Sequence, residues 1–242
     1  MPSHPSPTSR PLEGRSRRWQ PHNDERRERI VRAMIDLIEE GEHGTDVPMA
    51  RLTERAGLSK SVVYRQFSGR DDLDRHTRTA ICEQFTDTLD AALDVTDGSI
   101  HVILDRTVGA VVDWIDRHPR RHEFLRRGPA LGDPDEVDAL RSLQTGIAAR
   151  TRLLVTGLAG VVGVVDEPVI DTMTFSIVAM VEATVTRWAR DPNPCMDRDR
   201  LVAELAGYAW SVLDGVARGH GIDLDPDQPL LTLIERLAAP RR

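Results

Sequence analysis

Lys60, Ser61, Val62, Tyr64 and Gln66 fall within one seven-residue stretch, and their types suit contact with a nucleic acid better than covalent chemistry. On a helix, Lys60 and Tyr64 are four apart and share a face, while Val63 and Phe67 share another. The apolar pair predicts inward packing against Leu52 and Ala56. The opposite side, with Ser61, Val62 and Gln66, then faces outward. It offers a cation and small polar groups at the helix start, and a phenol able to reach a phosphate. Gln66 carries an amide that can pair with a base edge, and Val62 a methyl surface that suits a thymine methyl.

Positioning these groups takes two short helices and a sharp turn. Pro48 suits the first position of a helix whose apolar face is Met49, Leu52 and Ala56. Gly57 and Leu58 make the turn. Ser59 is placed to cap the next helix, to about Phe67, by accepting from a free backbone N–H. The segment 48–67 therefore has the size and turn chemistry of a helix-turn-helix, whose second helix enters the major groove. By periodicity alone, an ordinary helical hairpin with a solvated face fits it equally well.

The surrounding pattern is helical throughout. From Asp24, the residues Ile30, Met34, Leu37, Ile38 and Gly41 recur at helical spacing, with Asp24, Glu25 and Glu28 suited to a helix N-terminus and Gly41 and Gly44 to its end. Residues 1–23 read as a flexible basic tail, in which Pro2, Pro5, Pro7, Pro11 and Pro21 prevent regular structure. Asp71 and Asp72 open a helix through about residue 95. Further helices are expected over 99–118, 120–127, from near Asp133 to about 160, and over 167–190, 197–218 and 230–238, separated by Pro and Gly. With no alternating strand pattern and no repeat, the fold class is all-α. A three-helix helix-turn-helix domain at 24–72 precedes a larger helical domain at 73–242.

Composition narrows the function classes. The 242 residues are 40% hydrophobic and 29% charged, the balance of a soluble globular protein. The net charge of −7 is unevenly spread: residues 1–70 hold 13 Lys+Arg against 10 Asp+Glu, the remainder 19 against 29. A basic N-terminal section on an acidic body fits one end meeting phosphate. Cys82 and Cys195 are too few for a disulfide framework or a zinc site. His118 and His122 have metal-like spacing, but Pro119 and two arginines intervene and no ligand cluster completes them, so no metal is expected. There is no GxSxG, P-loop or GxGxxG after a strand, so neither enzymatic activity nor a cofactor is expected. The apolar stretch 153–165 is broken by glycines and too short to span a bilayer, and the N-terminus lacks a signal-peptide core. The chain is expected in the cytoplasm, with no membrane partner.

The segment 52–73, LTERAGLSKSVVYRQFSGRDDL, resembles the signature of the TetR/AcrR family of bacterial regulators. Ala56, Gly57, Ser59, Lys60, Tyr64 and Phe67 match its pattern directly, and Leu58 and Val63 match in type. Arg70 stands where that family carries a basic residue at the start of its fourth helix, placed for phosphate. The segment 26–38 is similar to the family's opening helix. The departures are Thr53 for a small Ala, Val47 and Pro48 for a Ser or Thr, Val62 for Thr and Gln66 for His. They leave the docking mode intact and the operator sequence open.

The resemblance implies a homodimer on a palindromic duplex DNA operator, released from it as a repressor when a small, mostly apolar effector shifts the spacing of two reading heads. It also implies a ligand cavity in the body. The candidates to line it are Phe85, Leu89, Val108, Val111, Val112, Trp114, Ile115, Phe124, Leu143, Ile147, Leu154, Met173, Phe175, Ile177, Met180 and Thr184, although core packing is the commoner role of such side chains. The family's last two long helices form its dimer interface. Here that points to 167–190 and 197–218, with Leu201, Leu205, Trp210, Val212 and Leu213 as contacts and Trp188 as a further anchor. Arg10, Arg15, Arg17 and Arg18 either touch DNA or belong to an inert leader. The competing readings are a helical interaction module without DNA binding and an all-helical enzyme without a recognised motif.

Overall fold

The computed structural model describes residues 13–41, 46–127, 139–161 and 166–238. Arg10, the helix start foreseen near Asp133, and the side chains of Arg15, Arg17, Arg18 and Leu143 lie outside that description. Among the described residues there are helices and no strands: α1 (Glu13–Glu40), α2 (Met49–Ala56), α3 (Lys60–Gln66), α4 (Arg70–Ala92), α5 (Ile100–Arg117), α6 (Pro119–Arg126), α7 (Ala139–Val161), α8 (Glu167–Arg190), α9 (Arg198–Gly219) and α10 (Leu230–Ala238). The chain forms two compact units, 1–77 and 78–242, so the boundary falls inside α4 rather than at its start.

In the first unit, α1 packs on α2 and α3. Ile30, Met34, Leu37 and Ile38 are buried, as their spacing predicts. The start of α1 corrects one expectation: helix begins at Glu13, and Pro21 lies within it. One interior proline forfeits one backbone hydrogen bond, while the Glu, Arg and Gln residues around it favour helix. Pro48 is the cap residue before α2 rather than its first residue. Gly57 ends α2 with φ 63°, a left-handed conformation that glycine adopts without a Cβ penalty.

In the second unit, α5 packs on α6, α8 and α9, while α7 packs on α6, α8 and α10. The Ser99 side chain caps α5 by accepting from the Val102 N–H. The segment before α10 is stitched to the turn before α5, where His101 N–H donates to the Pro226 carbonyl and Leu230 N–H to that of Gly98. Gly98 has φ 103°, and a Cβ there would stand 2.9 Å from Cγ1 of Val102. Ile103, Leu230 and Leu233 form a core cluster at this end, with Val95, Ile100, Leu158, Leu224 and Ile234 packed against it. Among the described residues, α8 is long and apolar enough to cross a membrane. Its buried side, which includes Ile170, Met173, Val181 and Val185, serves packing within this unit.

Candidate nucleic-acid interface and ligand cavity

The short helix α3 separates its faces as its phase dictates. Val63 is 1% exposed and Phe67, the residue that ends the helix, is 3% exposed. Leu52 and Ala56 of α2 are buried in the same unit. Full burial of side chains of this size contributes roughly 1.5–3 kcal/mol each. The Arg27 guanidinium lies 5.1 Å from the centre of the Phe67 ring, and the His76 imidazole meets that ring edge-on at 5.4 Å. These contacts hold the back of α3 in place.

The outward side carries Lys60, Ser61 and Tyr64, all exposed, with Tyr64 at 51%. The Lys60 ammonium sits 5.8 Å over the Tyr64 ring. Val62 is half-buried. Arg65, exposed and four residues after Ser61, belongs to this side although the sequence reading passed over it. The i,i+4 relation to Ser61 was the signal that could have found it.

Three expectations at this site need correction. Ser59 precedes α3 with extended backbone, but its hydroxyl makes no capping bond to the helix. Instead it lies 3.1 Å from Oγ of Ser61, and the Ser59 carbonyl accepts from the N–H groups of Val62 and Val63. Gln66 is half-buried rather than fully outward, because it sits one turn from neither Lys60 nor Tyr64. Arg70 turns into its own unit: its Nη1 donates to the Val47 carbonyl at 2.5 Å and its Nε to Asp74 at 2.8 Å. The backbone carbonyl before α2 and an acid one turn along α4 out-compete solvent for this guanidinium.

Other contacts brace the unit. Arg55 of α2 grips Glu40 of α1 with two bonds, at 2.8 and 2.5 Å, which hold that carboxyl below its usual range. At the start of α4, Asp72 accepts from the backbone N–H and hydroxyl of Ser68 and is likewise lowered, with the Ser68 N–H as the main cause.

The second unit contains two adjoining apolar chambers, of about 130 and 210 Å³. Phe85, Leu89, Val108, Val111, Ile115, Ile147 and Ile177 line the first, so seven of the expected residues come together. Leu154 lines the second. Val112, Phe124, Met173, Met180 and Thr184 do not line either chamber. Val112 and Met173 are buried elsewhere in the core, and Phe124 lies under the Arg78 guanidinium at 5.0 Å. Trp114 packs on Phe85 at 4.5 Å, and Phe175 is exposed. Sequence periodicity marks an apolar side but not which neighbour that side meets.

One polar network borders the first chamber. The Glu182 carboxylate accepts from Gln144 Nε2 at 3.0 Å and from the Thr186 hydroxyl at 2.9 Å, and Nε2 of His122 lies 3.9 Å away. His122, with Thr186 within 3.3 Å, holds Glu182 below the ordinary carboxylate value, and the Thr186 and Gln144 bonds add to this against the opposing effect of burial. His122 thus belongs to this network.

The interface residues expected on α9 also need correction. Leu201 and Leu205 are buried within the unit, where α9 packs on α5; Leu205 is 1% exposed. Trp210 meets His101 edge-on at 5.5 Å, and Leu213 lines the second chamber. Trp188 donates its indole N–H to the Met196 carbonyl. Val212 does lie outward, together with Tyr208 at 51% exposure. Of the expected residues, Leu201 and Leu205 thus lie on the buried side of α9, which packs on α5 and α8, and Val212 on its outward side.

No family model matches the chain. An uncharacterized HTH-type transcriptional regulator of Mycobacterium tuberculosis is 26% identical to it over 217 residues, with 86% of each chain covered. The crystal structure of a TetR-family transcriptional regulator from Streptomyces coelicolor matches with a TM-score of 0.62 at 20% identity, covering 88% of both chains. A TetR-like transcriptional regulator from Rhodococcus sp. RHA1 matches with a TM-score of 0.53 at 18% identity, covering 78% of this chain and 96% of its own. In fold, the chain resembles the TetR-family transcriptional regulators of known structure.

Proposed function

We propose that the chain is a dimeric, sequence-specific DNA-binding regulator, a repressor released from its operator by a small, mostly apolar ligand. The observation that carries this reading is the exposed Lys60–Tyr64 side of α3, backed by buried Val63 and Phe67. Lys60, Ser61, Val62 and Tyr64 form the contact surface, and Arg65 extends it by one cation. Gln66 stands half-buried at the edge of this surface, and Arg70 contributes by holding the approach to α2 in position. The name of the M. tuberculosis relative, an HTH-type transcriptional regulator, agrees with this assignment.

Dimerisation follows from groove geometry, since two recognition helices about 34–36 Å apart, or a multiple of that, enter successive major grooves. Phe175 of α8 with Tyr208 and Val212 of α9 supplies the outward apolar surface for a twin. The chambers in the second unit supply the ligand site, and a ligand bound more tightly by the DNA-free state releases the operator through that difference in affinity. Sedimentation velocity with and without duplex DNA, repeated over a salt series, tests the reading. Two chains per duplex and an affinity falling steeply with salt are expected. A monomer at micromolar concentration, or no DNA binding at low salt, would overturn it.

A further inference from the structure

Trp114, which packs on the chamber residue Phe85, is also a wall of a further cavity, a groove of about 550 Å³ open to solvent. Its long wall is α5, which supplies two adjacent rows at i,i+4 spacing. One runs Asp105, Gly109, Asp113 and Arg117, the other Arg106, Ala110, Trp114 and the capping residue His118. They extend about 20 Å along the helix. The groove shares no lining residue with either chamber. Its middle is shallow-walled, with Gly109 and Ala110 on α5. A Cβ on Gly109 would stand 3.7 Å from Nη2 of Arg198, so that guanidinium overhangs the glycine. Alanine would meet only ordinary contacts there and would favour the helix by about 1 kcal/mol, so packing does not call for the glycine. What the glycine leaves is open floor.

Charge is placed unevenly along this floor. At one end Asp105 balances Arg106, which donates to the carbonyls of Ala92 and Asp94. At the other end Arg198 donates from Nε to Asp113 at 2.5 Å and from Nη1 to Asp199 at 2.6 Å, while Nη2 of Arg117 reaches Asp113 at 2.8 Å. Arg121 of α6 donates to Gln84 of α4 at 3.2 Å. Among these groups three guanidinium groups stand against two carboxylates, so one positive charge is left over. A guanidinium carries five N–H donors. Arg117 gives one of them to Asp113 and Arg198 gives two to its carboxylates, and both side chains keep substantial exposure, 69% and 42%. The surplus is local, because residues 71–242 hold 29 acids against 19 bases and exposed charges beyond about 10 Å are screened by salt. A planar oxyanion matches the guanidinium fork, whereas an ammonium there meets like charge.

We infer that this groove is a small-molecule site separate from the chambers, taking an organic anion whose carboxylate or phosphate head lies on Arg117 and Arg198 and whose flat body lies over Gly109 and Ala110 beside Trp114. It stands whether or not the chambers hold a ligand and whether or not α3 reads DNA.

The test is calorimetric titration of the full chain, at low salt, with phenyl phosphate, benzoate and benzyl alcohol. Both anions are expected to bind at least about tenfold more tightly than the alcohol, and the tighter of the two identifies the head. Arg117→Gln, at an exposed position, should weaken the anions by about tenfold, and Ala110→Trp should abolish their binding by filling the floor. Lys60→Ala should leave both affinities unchanged, which separates this groove from the cationic side of α3. The ordering of the three probes in the unaltered chain tests the claim even if Ala110→Trp does not fold. Equal binding of anions and alcohol, or no anion binding at millimolar concentration, overturns the inference. Anion binding that survives Arg117→Gln and a folded Ala110→Trp, or that is lost in Lys60→Ala, overturns it too, by placing the anion elsewhere. In each of these cases the DNA-binding reading is untouched.

Discussion

The outward sides of α3 and α9 are built on the same helical repeat and end in opposite chemistry. Each helix buries one row of apolar residues, Val63 in α3 and Leu201, Leu205 and Ala209 in α9. On the other side α3 shows Lys60, Ser61, Tyr64 and Arg65, whereas α9 shows Ala203, Tyr208, Ser211, Val212 and Gly215. The first surface is cationic and hydrogen-bonding, suited to a phosphate backbone that water already solvates. The second carries Tyr208 and Val212 among small residues, between the charged Asp199 and Arg200 at one end and Arg218 at the other, and its apolar part gains chiefly by leaving water against a surface like itself. Identical periodicity therefore reports burial, while the residues outside the buried row report the partner.

The largest effect should come from removing the shared feature, the buried row. Phe67→Ala leaves a cavity beneath Arg27 and is expected to cost about 3–5 kcal/mol of stability, read by denaturant unfolding, with loss of DNA binding in parallel. Unchanged unfolding would show that the back of α3 is not held as described. Next, Tyr208→Asp with Val212→Asp should convert the proposed dimer into a monomer by sedimentation while helicity stays intact, since both side chains point outward. A dimer that survives this pair moves the interface elsewhere.

On the other outward surface, Tyr64→Ala should weaken binding to all DNA sequences alike, by about tenfold, without shifting the unfolding midpoint. Lys60→Ala should act more locally. It is expected to lower the salt slope by about one and to relax preference at one or two base positions, worth about 1–3 kcal/mol there. Equal affinity of both variants and the unaltered chain for a chosen duplex would retire the assignment.

The smallest effect is electrostatic. Glu182 is held below the ordinary value of 4.5, so its network stabilises the fold above that pH, and the contribution is lost as pH falls below it. Glu182→Gln should therefore be less stable than the unaltered chain at pH 7, and the difference should shrink on acidification, as unfolding midpoints at several pH values would reveal.

Much of the first unit was legible because its constraints are local. Gly57 is needed for a left-handed turn, and Val63 and Phe67 share a phase that any helix must respect. Arg70 was not legible in the same way, because the Val47 carbonyl reaches it only through tertiary packing across 23 residues of chain. The start of α1 was missed by weighing Pro21 above its helix-forming neighbours. In the second unit the helices followed from Pro and Gly punctuation, but their pairing did not. Leu201 and Leu205 read as a surface for a twin and proved to be the surface for α5, because an apolar stripe does not name its neighbour. The chamber residues were partly legible for the same reason: Phe85, Leu89, Val108 and Ile115 lie on inward rows, while Phe124 is diverted to Arg78.

Selection of bound sequences from a random duplex pool, with the full-length chain, tests the central claim most directly. Enrichment of a palindrome whose half-sites place two α3 helices on successive turns of one face of the duplex is the expected result. Recovery of the starting pool unchanged, or of a single unpaired half-site, would contradict it.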